Sequence, residues 1–160
     1  MTTIAFRDGI LAADGRMTYG DTIFSDTNRK IHRLSDGALF ALYGDVSYVQ
    51  PMLDALEDDE SDLPEAADSS SFTAVIVEKD GKVRIYEGRG GYIALDAPYY
   101  AFGSGEEYAL GAMDMGASAE QAVRVACGRD LGSGGSIQIE KPGKLRRKPH
   151  PKPPIEKEAE

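Results

Sequence analysis

Residues that bind transition metals or form disulfide bonds are scarce in this sequence. It contains one cysteine, Cys127, and two histidines, His32 and His150. A single cysteine cannot form an intramolecular disulfide, and this usage is typical of a reducing cytoplasm. Three such residues also leave little material for a zinc site. We therefore expect a cytoplasmic protein with no metal centre, and nothing in the sequence calls for another cofactor.

Long apolar runs and phosphate-binding glycine patterns are absent as well. No segment approaches the roughly 20 apolar residues of a membrane-spanning helix. Residues 1–6 lack the basic flank and apolar stretch of a signal peptide. Neither G-x-x-x-x-G-K-[ST] nor G-x-G-x-x-G occurs. The sequence predicts neither membrane insertion nor nucleotide binding.

Positive charge is concentrated at the end of the chain. The net charge is −9, yet residues 141–160 contain seven Lys/Arg against three Glu, which leaves −13 on residues 1–140. An acidic body argues against nucleic acid as a partner. The five prolines of the last segment do not favour a packed core. We predict one domain over residues 1–140 and a disordered tail over residues 141–160.

Asp-Gly pairs and helical spacing indicate the fold class. Three pairs lie between apolar, β-rich segments, where they favour tight hairpin turns. Helical apolar spacing occurs over residues 46–56, 105–115 and 118–128, and a last strand is predicted over residues 136–140. Hairpins with helices grouped between them indicate an α+β fold with two antiparallel sheets and helices outside. The three hairpin pairs are Asp8-Gly9, Asp36-Gly37 and Asp80-Gly81.

Thr2 is the first candidate for chemistry. A small residue after the initiator methionine favours removal of Met1, which would leave Thr2 with a free α-amine beside its hydroxyl. An amine with a pKa of about 8 is partly neutral near pH 7 and can act as the base for that hydroxyl. Because many cytoplasmic proteins begin with Met-Thr, an ordinary strand start remains the alternative.

Asp14 and Lys30 strengthen the case for Thr2. Asp14 closes a strand that is antiparallel to the one Thr2 begins, and Lys30 begins the strand of the next hairpin. A lysine near the amine would help to keep it neutral, and an aspartate would fix the lysine. The alternatives are a plain Asp-Gly turn and a solvated basic face.

Five short motifs occur in order along the chain, at residues 2–4, 13–15, 28–34, 103–105 and 129–135. Together they resemble motifs of the proteasome β-subunits and the HslV-like peptidases. Two of them are glycine-rich junctions, Gly-Ser-Gly before a helix and Arg-Asp-x-x-Ser-Gly-Gly before a strand. The resemblance spans residue 2 to about residue 140 and implies the αββα four-layer sandwich of the N-terminal-nucleophile (Ntn) hydrolases, in a compact HslV-like form. It also implies a threonine endopeptidase in a homo-oligomeric ring, with peptides or unfolded proteins as substrates and an ATP-dependent unfoldase as partner.

The resemblance implies a role for each matching residue. Thr2 would be the nucleophile, and Asp14 and Lys30 would tune it. The N–H of Ala41, where the family usually has glycine, would stabilise the oxyanion. A hydrogen-bond network around the amine would comprise Ser104, Asp130 and Ser133. A substrate pocket with an apolar preference would be lined by Met17, Asn28, His32 and Tyr43.

Two alternatives stay open from the sequence. Ala41 and the short segment of residues 57–71, where the family has a second long helix, favour an inactive ring subunit that serves as a scaffold or binding module. An Ntn amidase that acts on small amides is the other. A Ser-His-Asp hydrolase built on His32 is disfavoured, because no Gly-x-Ser-x-Gly elbow occurs. Cys127 lies on an apolar helix stripe, which favours a packing role.

Overall fold

The computed structural model describes residues 1–58, 62–68 and 71–143. Within this part the chain forms eleven strands and three α-helices. The predicted disordered tail lies outside the described residues from residue 144 onward. The strands are β1 (Thr3–Arg7), β2 (Ile10–Ala13), β3 (Met17–Tyr19), β4 (Thr22–Ser25), β5 (Ile31–Arg33), β6 (Leu39–Gly44), β7 (Phe72–Val77), β8 (Val83–Tyr86), β9 (Ile93–Leu95), β10 (Tyr99–Gly103) and β11 (Gln138–Glu140). The helices are α1 (Val49–Glu57), α2 (Glu106–Asp114) and α3 (Ala119–Cys127), and a 3-10 turn, Val46–Tyr48, precedes α1.

The first sheet contains the start of the chain. Its strand order is β10-β1-β2-β11, and every neighbouring pair is antiparallel. Asp8 (φ 52°) and Gly9 (φ 73°) join β1 to β2, and two consecutive positive φ values are those of a type I′ turn. The hairpin predicted at this Asp-Gly pair is confirmed.

The second sheet has the order β5-β6-β7-β8-β9 and is antiparallel throughout. Its hairpins turn at Gly37 (φ 96°) and Gly81 (φ 89°), in the two other predicted Asp-Gly pairs. A separate two-stranded ribbon, β3-β4, connects the sheets. The sequence did not predict this ribbon.

Three apolar clusters separate four layers. One lies between the two sheets and includes Ile4, Leu39 and Val75. A second lies between the five-stranded sheet and α1, with Met52 fully buried. The third lies between the four-stranded sheet and helices α2 and α3. The order helix, sheet, sheet, helices confirms the predicted α+β sandwich.

Small residues set the distance between the first sheet and α3. Ala5 and Ala12 face the helices, where they meet Ala122 and Ala126 of α3, and all four are fully buried. Alanine on both surfaces lets a helix and a sheet approach closely while the interface stays densely packed. This packing brings the end of α3 next to the start of β1.

The caps of the helices follow the sequence. Ser118 and Gln121 form a capping box at the start of α3, the helix predicted over residues 118–128. Pro51 lies in the first turn of α1, where its missing N–H costs no helical hydrogen bond, so the helix is not interrupted. No helix within the described residues is long and apolar enough to cross a membrane.

Candidate functional site

Thr2 lies at one end of the first sheet, one residue before the inner strand β1. Its side chain is largely buried, because the residue is only 7% exposed. Its N–H donates to Ser104 Oγ at 3.3 Å, and its hydroxyl donates to the Met1 carbonyl oxygen at 2.7 Å. Both functional groups of Thr2 are therefore held by hydrogen bonds.

Asp14 is fully buried and accepts four hydrogen bonds. Its Oδ1 accepts from the Thr3 N–H (2.9 Å) and from Lys30 Nζ (2.7 Å). Its Oδ2 accepts from the backbone N–H groups of Arg16 (3.1 Å) and Gly134 (2.9 Å). Three chain segments and the lysine thus converge on one carboxylate, which is satisfied on both oxygens.

Lys30 is the cation of the site and is only 7% exposed. Besides Asp14, its ammonium contacts the Met1 carbonyl oxygen at 3.3 Å. Burial lowers the pKa of Lys30, although the charge of Asp14 acts in the opposite direction. The Met1 carbonyl oxygen is therefore the point at which the Thr2 hydroxyl and the Lys30 ammonium meet.

A second carboxylate, Asp130, organises the other side of Thr2. Its Oδ2 accepts from the hydroxyls of Ser104 and Ser133, each at 2.6 Å. Burial raises the pKa of Asp130, but these two hydrogen bonds and one from the Gly132 N–H outweigh it, so the pKa lies below its usual value. Because Ser104 donates to Asp130, its oxygen is free to accept from the Thr2 nitrogen. The structure thus brings together the six residues whose side chains were predicted to form the catalytic site: Thr2, Asp14, Lys30, Ser104, Asp130 and Ser133.

The glycine-rich segment before β11 passes close to another part of the backbone. A Cβ atom at Gly135 would lie 2.2 Å from the carbonyl oxygen of Asp26, and Gly135 has φ +73°. Ser136 N–H donates to that same oxygen at 2.8 Å. The close approach that glycine permits here is therefore to protein backbone, and it fixes the segment that supplies the Gly134 N–H to Asp14.

We expect Gly135→Ala to destabilise the fold far more than Gly90→Ala. Gly90 has nearly the same backbone angle, φ +70°, with no atom within 4 Å of its Cβ position. Left-handed strain is then common to both variants at about 1 kcal/mol, whereas overpacking adds roughly 1–3 kcal/mol only at Gly135. Urea unfolding of both variants measures the difference, and equal losses would contradict the close approach.

A cavity of about 330 Å³ opens beside Thr2. Met17, Asn28 and His32 line it, as the sequence predicted. The β3-β4 ribbon contributes Tyr19 and Phe24, which are 80% and 65% exposed. Sequence reasoning missed these two aromatic residues, because an exposed ribbon has no buried face to produce an apolar alternation.

Tyr43 does not line this cavity. Its ring lies between the sheets, stacked on Phe102 with 6.4 Å between the ring centroids. Side chains alternate between the two faces of a strand, so Leu42, the preceding residue, reaches the cavity wall instead. The pocket role predicted for Tyr43 is corrected accordingly.

Ala41 does not occupy the predicted oxyanion position either. It is fully buried between the sheets and pairs with Ile31 and Val75. Asp45 N–H donates toward β7, to Ser71 O at 2.7 Å, and the N–H groups of an antiparallel strand alternate in direction. The N–H of Ala41, four residues earlier, therefore points toward β7, whereas that of Leu42 points toward the cavity side.

The comparisons with known proteins agree with this geometry. No family model matches the chain. The ATP-dependent protease subunit HslV of Pseudothermotoga lettingae is 27% identical to it, across 82% of this chain and 89% of that protein. The chain is similar to the HslV-like members of the proteasome β family. The resemblance found in the motifs of this HslV-like chain is thereby confirmed.

Solved structures show that the fold extends over nearly the whole chain. BPH of Thiobacillus denitrificans, alone and in complex with epoxomicin, matches with a TM-score of 0.64 and 20% identity. The match covers 89% of this chain and 98% or 99% of BPH. Eukaryotic HslV from Trypanosoma brucei matches with a TM-score of 0.64 and 17% identity, over 87% of this chain and 97% of its own. The HslV-like chain therefore has the compact form of this fold.

Proposed function

We propose that this HslV-like chain is a threonine peptidase whose nucleophile is Thr2 after removal of Met1. One observation carries the proposal: the Thr2 hydroxyl and the Lys30 ammonium bind the same Met1 carbonyl oxygen, while the Thr2 nitrogen binds Ser104. Loss of Met1 would turn that nitrogen into an α-amine held by Ser104. The hydroxyl would then lie between a base and a cation.

The proposed reaction proceeds through an acyl-threonine ester. The Thr2 amine accepts the hydroxyl proton as Oγ attacks the scissile carbonyl, and it returns the proton to the leaving amine. Water then attacks the ester, and its proton follows the same route. Lys30 lowers the pKa of both the amine and the hydroxyl through its positive charge. Ser104, held by Asp130 and next to Ser133, keeps the amine oriented.

Leu42 supplies the donor that this reaction needs for the oxyanion. Its N–H points to the cavity side of β6, beyond Ile31, the first residue of β5. One such donor contributes about 3–4 kcal/mol to transition-state stabilisation. The methyl group of Ala41 lies in the core between the sheets, away from the cavity, so it gives no support to the alternative of an inactive subunit.

We further propose that the chain acts inside a homo-oligomeric ring with an ATP-dependent unfoldase. The HslV relative of Pseudothermotoga lettingae carries the name of an ATP-dependent protease subunit, which supports this assignment. Several large apolar side chains, including Met115 and Leu131 (each 89% exposed), are available for contacts between subunits. Unfolded proteins in the cytoplasm are the proposed substrates.

Intact mass spectrometry after treatment with a peptide epoxyketone tests the proposed function. We expect the purified protein to lack Met1 and to gain one inhibitor mass, located at Thr2, because the reagent engages both the hydroxyl and the free amine. A chain that has lost Met1 but gains no adduct would contradict the peptidase and support the inactive subunit. Faster hydrolysis of simple amides than of fluorogenic peptides would instead support the amidase.

A further inference from the structure

Gln138 makes an unusual contact between the two sheets. It lies in β11, opposite Ala13 of β2, and it is half-buried. Its Oε1 accepts hydrogen bonds from two consecutive backbone N–H groups, those of Lys30 (2.5 Å) and Ile31 (3.1 Å). A side chain of the four-stranded sheet therefore holds the backbone at the start of β5, in the five-stranded sheet.

This contact explains why β5 begins at Ile31. Consecutive N–H groups of a regular strand point to opposite sides, so they cannot both reach one atom. Their convergence on Gln138 Oε1 means that the backbone departs from strand geometry at Lys30. The side-chain carbonyl oxygen of glutamine has two lone pairs and can accept two such bonds, which makes glutamine well suited to this position.

Because β5 begins only at Ile31, no residue of β5 pairs with Leu42, and the N–H of Leu42 stays available. His32 pairs with Phe40 and Ile31 with Ala41, so continued pairing would bring Lys30 opposite Leu42. Because Gln138 binds the Lys30 N–H, this last pair is not made, and Leu42 faces the cavity. Asp14, the residue after Ala13, meanwhile holds the other end of Lys30 through its ammonium.

We propose that Gln138 is a positioning residue for the reaction proposed above. It fixes the backbone of Lys30, and thereby the placement of its ammonium, and it keeps β5 from pairing with Leu42. The proposal rests on the proposed function, since it assigns the Leu42 N–H to the oxyanion. It also makes a claim about the backbone that does not depend on activity.

Two substitutions of opposite character test the proposal. Gln138→Met keeps a side chain of similar length but removes the acceptor, whereas Gln138→Glu retains it. With a fluorogenic peptide we expect Gln138→Met to lower kcat by about 10- to 100-fold at a nearly constant KM. Gln138→Glu should stay within a few-fold of wild type, with the acid limb of its pH profile moved to higher pH by the added negative charge. Gln50→Met, on the exposed face of α1, is the matched control.

Hydrogen exchange of the Leu42 amide provides the readout that does not require turnover. We expect the Leu42 amide to exchange at least about tenfold more slowly in Gln138→Met, because β5 can then extend and pair with it. An unchanged kcat in Gln138→Met, while wild type reacts with the epoxyketone, would overturn the positioning role and leave the proposed function standing. A wild type that does not react would contradict the proposed function itself, and the Leu42 exchange would still decide the backbone claim.

Discussion

Replacing Thr2 with alanine should reduce kcat/KM for a fluorogenic peptide by at least about 1000-fold, because the variant lacks the attacking oxygen. Alanine after Met1 still favours removal of the methionine, so the amine and its contact with Ser104 are expected to persist. The substitution therefore removes one atom of the proposed chemistry and leaves the rest in place. Steady-state kinetics and epoxyketone labelling of the same preparation measure the effect.

Two further variants test whether the effect comes from loss of the hydroxyl at residue 2. Thr2→Ser keeps both the hydroxyl and the amine, so we expect it to react with the epoxyketone. Thr22→Ala, on the exposed ribbon strand β4, removes a threonine hydroxyl outside the site and should behave as wild type. Comparable peptide hydrolysis by Thr2→Ala and wild type would refute Thr2 as the nucleophile.

The sequence predicted most of the fold because its strongest signals are local. Asp8-Gly9 needs positive φ at two consecutive residues, and few structures other than a tight hairpin provide it. Ser118 and Gln121 define the start of α3 within a single turn. The β3-β4 ribbon was missed because its strands are short and exposed, so no buried face imposes a period of two on the sequence.

The site was predicted less completely, because part of it depends on strand pairing. Short motifs identified Asp14, Lys30 and the serine network, and the structure brings these residues together. Which N–H of β6 faces the cavity depends on the direction in which each residue of the strand points. The assignment from the sequence was wrong by one residue. It therefore chose Ala41 instead of Leu42 as the oxyanion donor, and it placed Tyr43 in the cavity instead of the core.

Gln138 shows a further limit of sequence reasoning. Its role depends on the distance between two sheets, which no local pattern encodes. Its side chain reaches across to Lys30 only because β11 lies beside β2 and the end of β5 approaches from the other sheet. In the sequence it is one polar residue in a strand, with nothing to distinguish it from a solvent-exposed position.

Substitutions in the Asp14–Lys30 pair should give the second large loss of activity. The loss of stability should differ between the two residues. Lys30→Met should lower kcat/KM by about 100-fold or more, because the cation that tunes the amine and hydroxyl is lost. Asp14 would keep three backbone N–H donors, so its charge remains partly compensated. Urea unfolding should therefore show a smaller loss of stability for Lys30→Met than for Asp14→Asn.

Asp14→Asn should cost about 3–5 kcal/mol of stability and abolish activity. All four partners of Asp14 are donors, so an asparagine NH₂ would face donors with no acceptor, and the buried Lys30 charge would lose its counter-ion. Lys82→Met removes an exposed ion pair with Asp80 and should change stability by less than about 1 kcal/mol. Equal losses of unfolding free energy in Asp14→Asn and Lys82→Met would show that the buried Asp14–Lys30 pair stabilises the fold no more than an exposed ion pair does.

The burial of Lys30 also predicts how the difference in stability between wild type and Lys30→Met depends on pH. Because burial lowers its pKa below the usual 10.5, the folded protein binds fewer protons at Lys30 than the unfolded chain does, in the interval between the two pKa values. The stability of wild type relative to Lys30→Met should therefore rise with pH through that interval and level off above 10.5. Urea unfolding of both proteins, at pH values on either side of 10.5, measures this dependence. A difference that stays constant with pH would mean that the Lys30 ammonium is not desolvated by folding, and would remove the basis for its effect on Thr2.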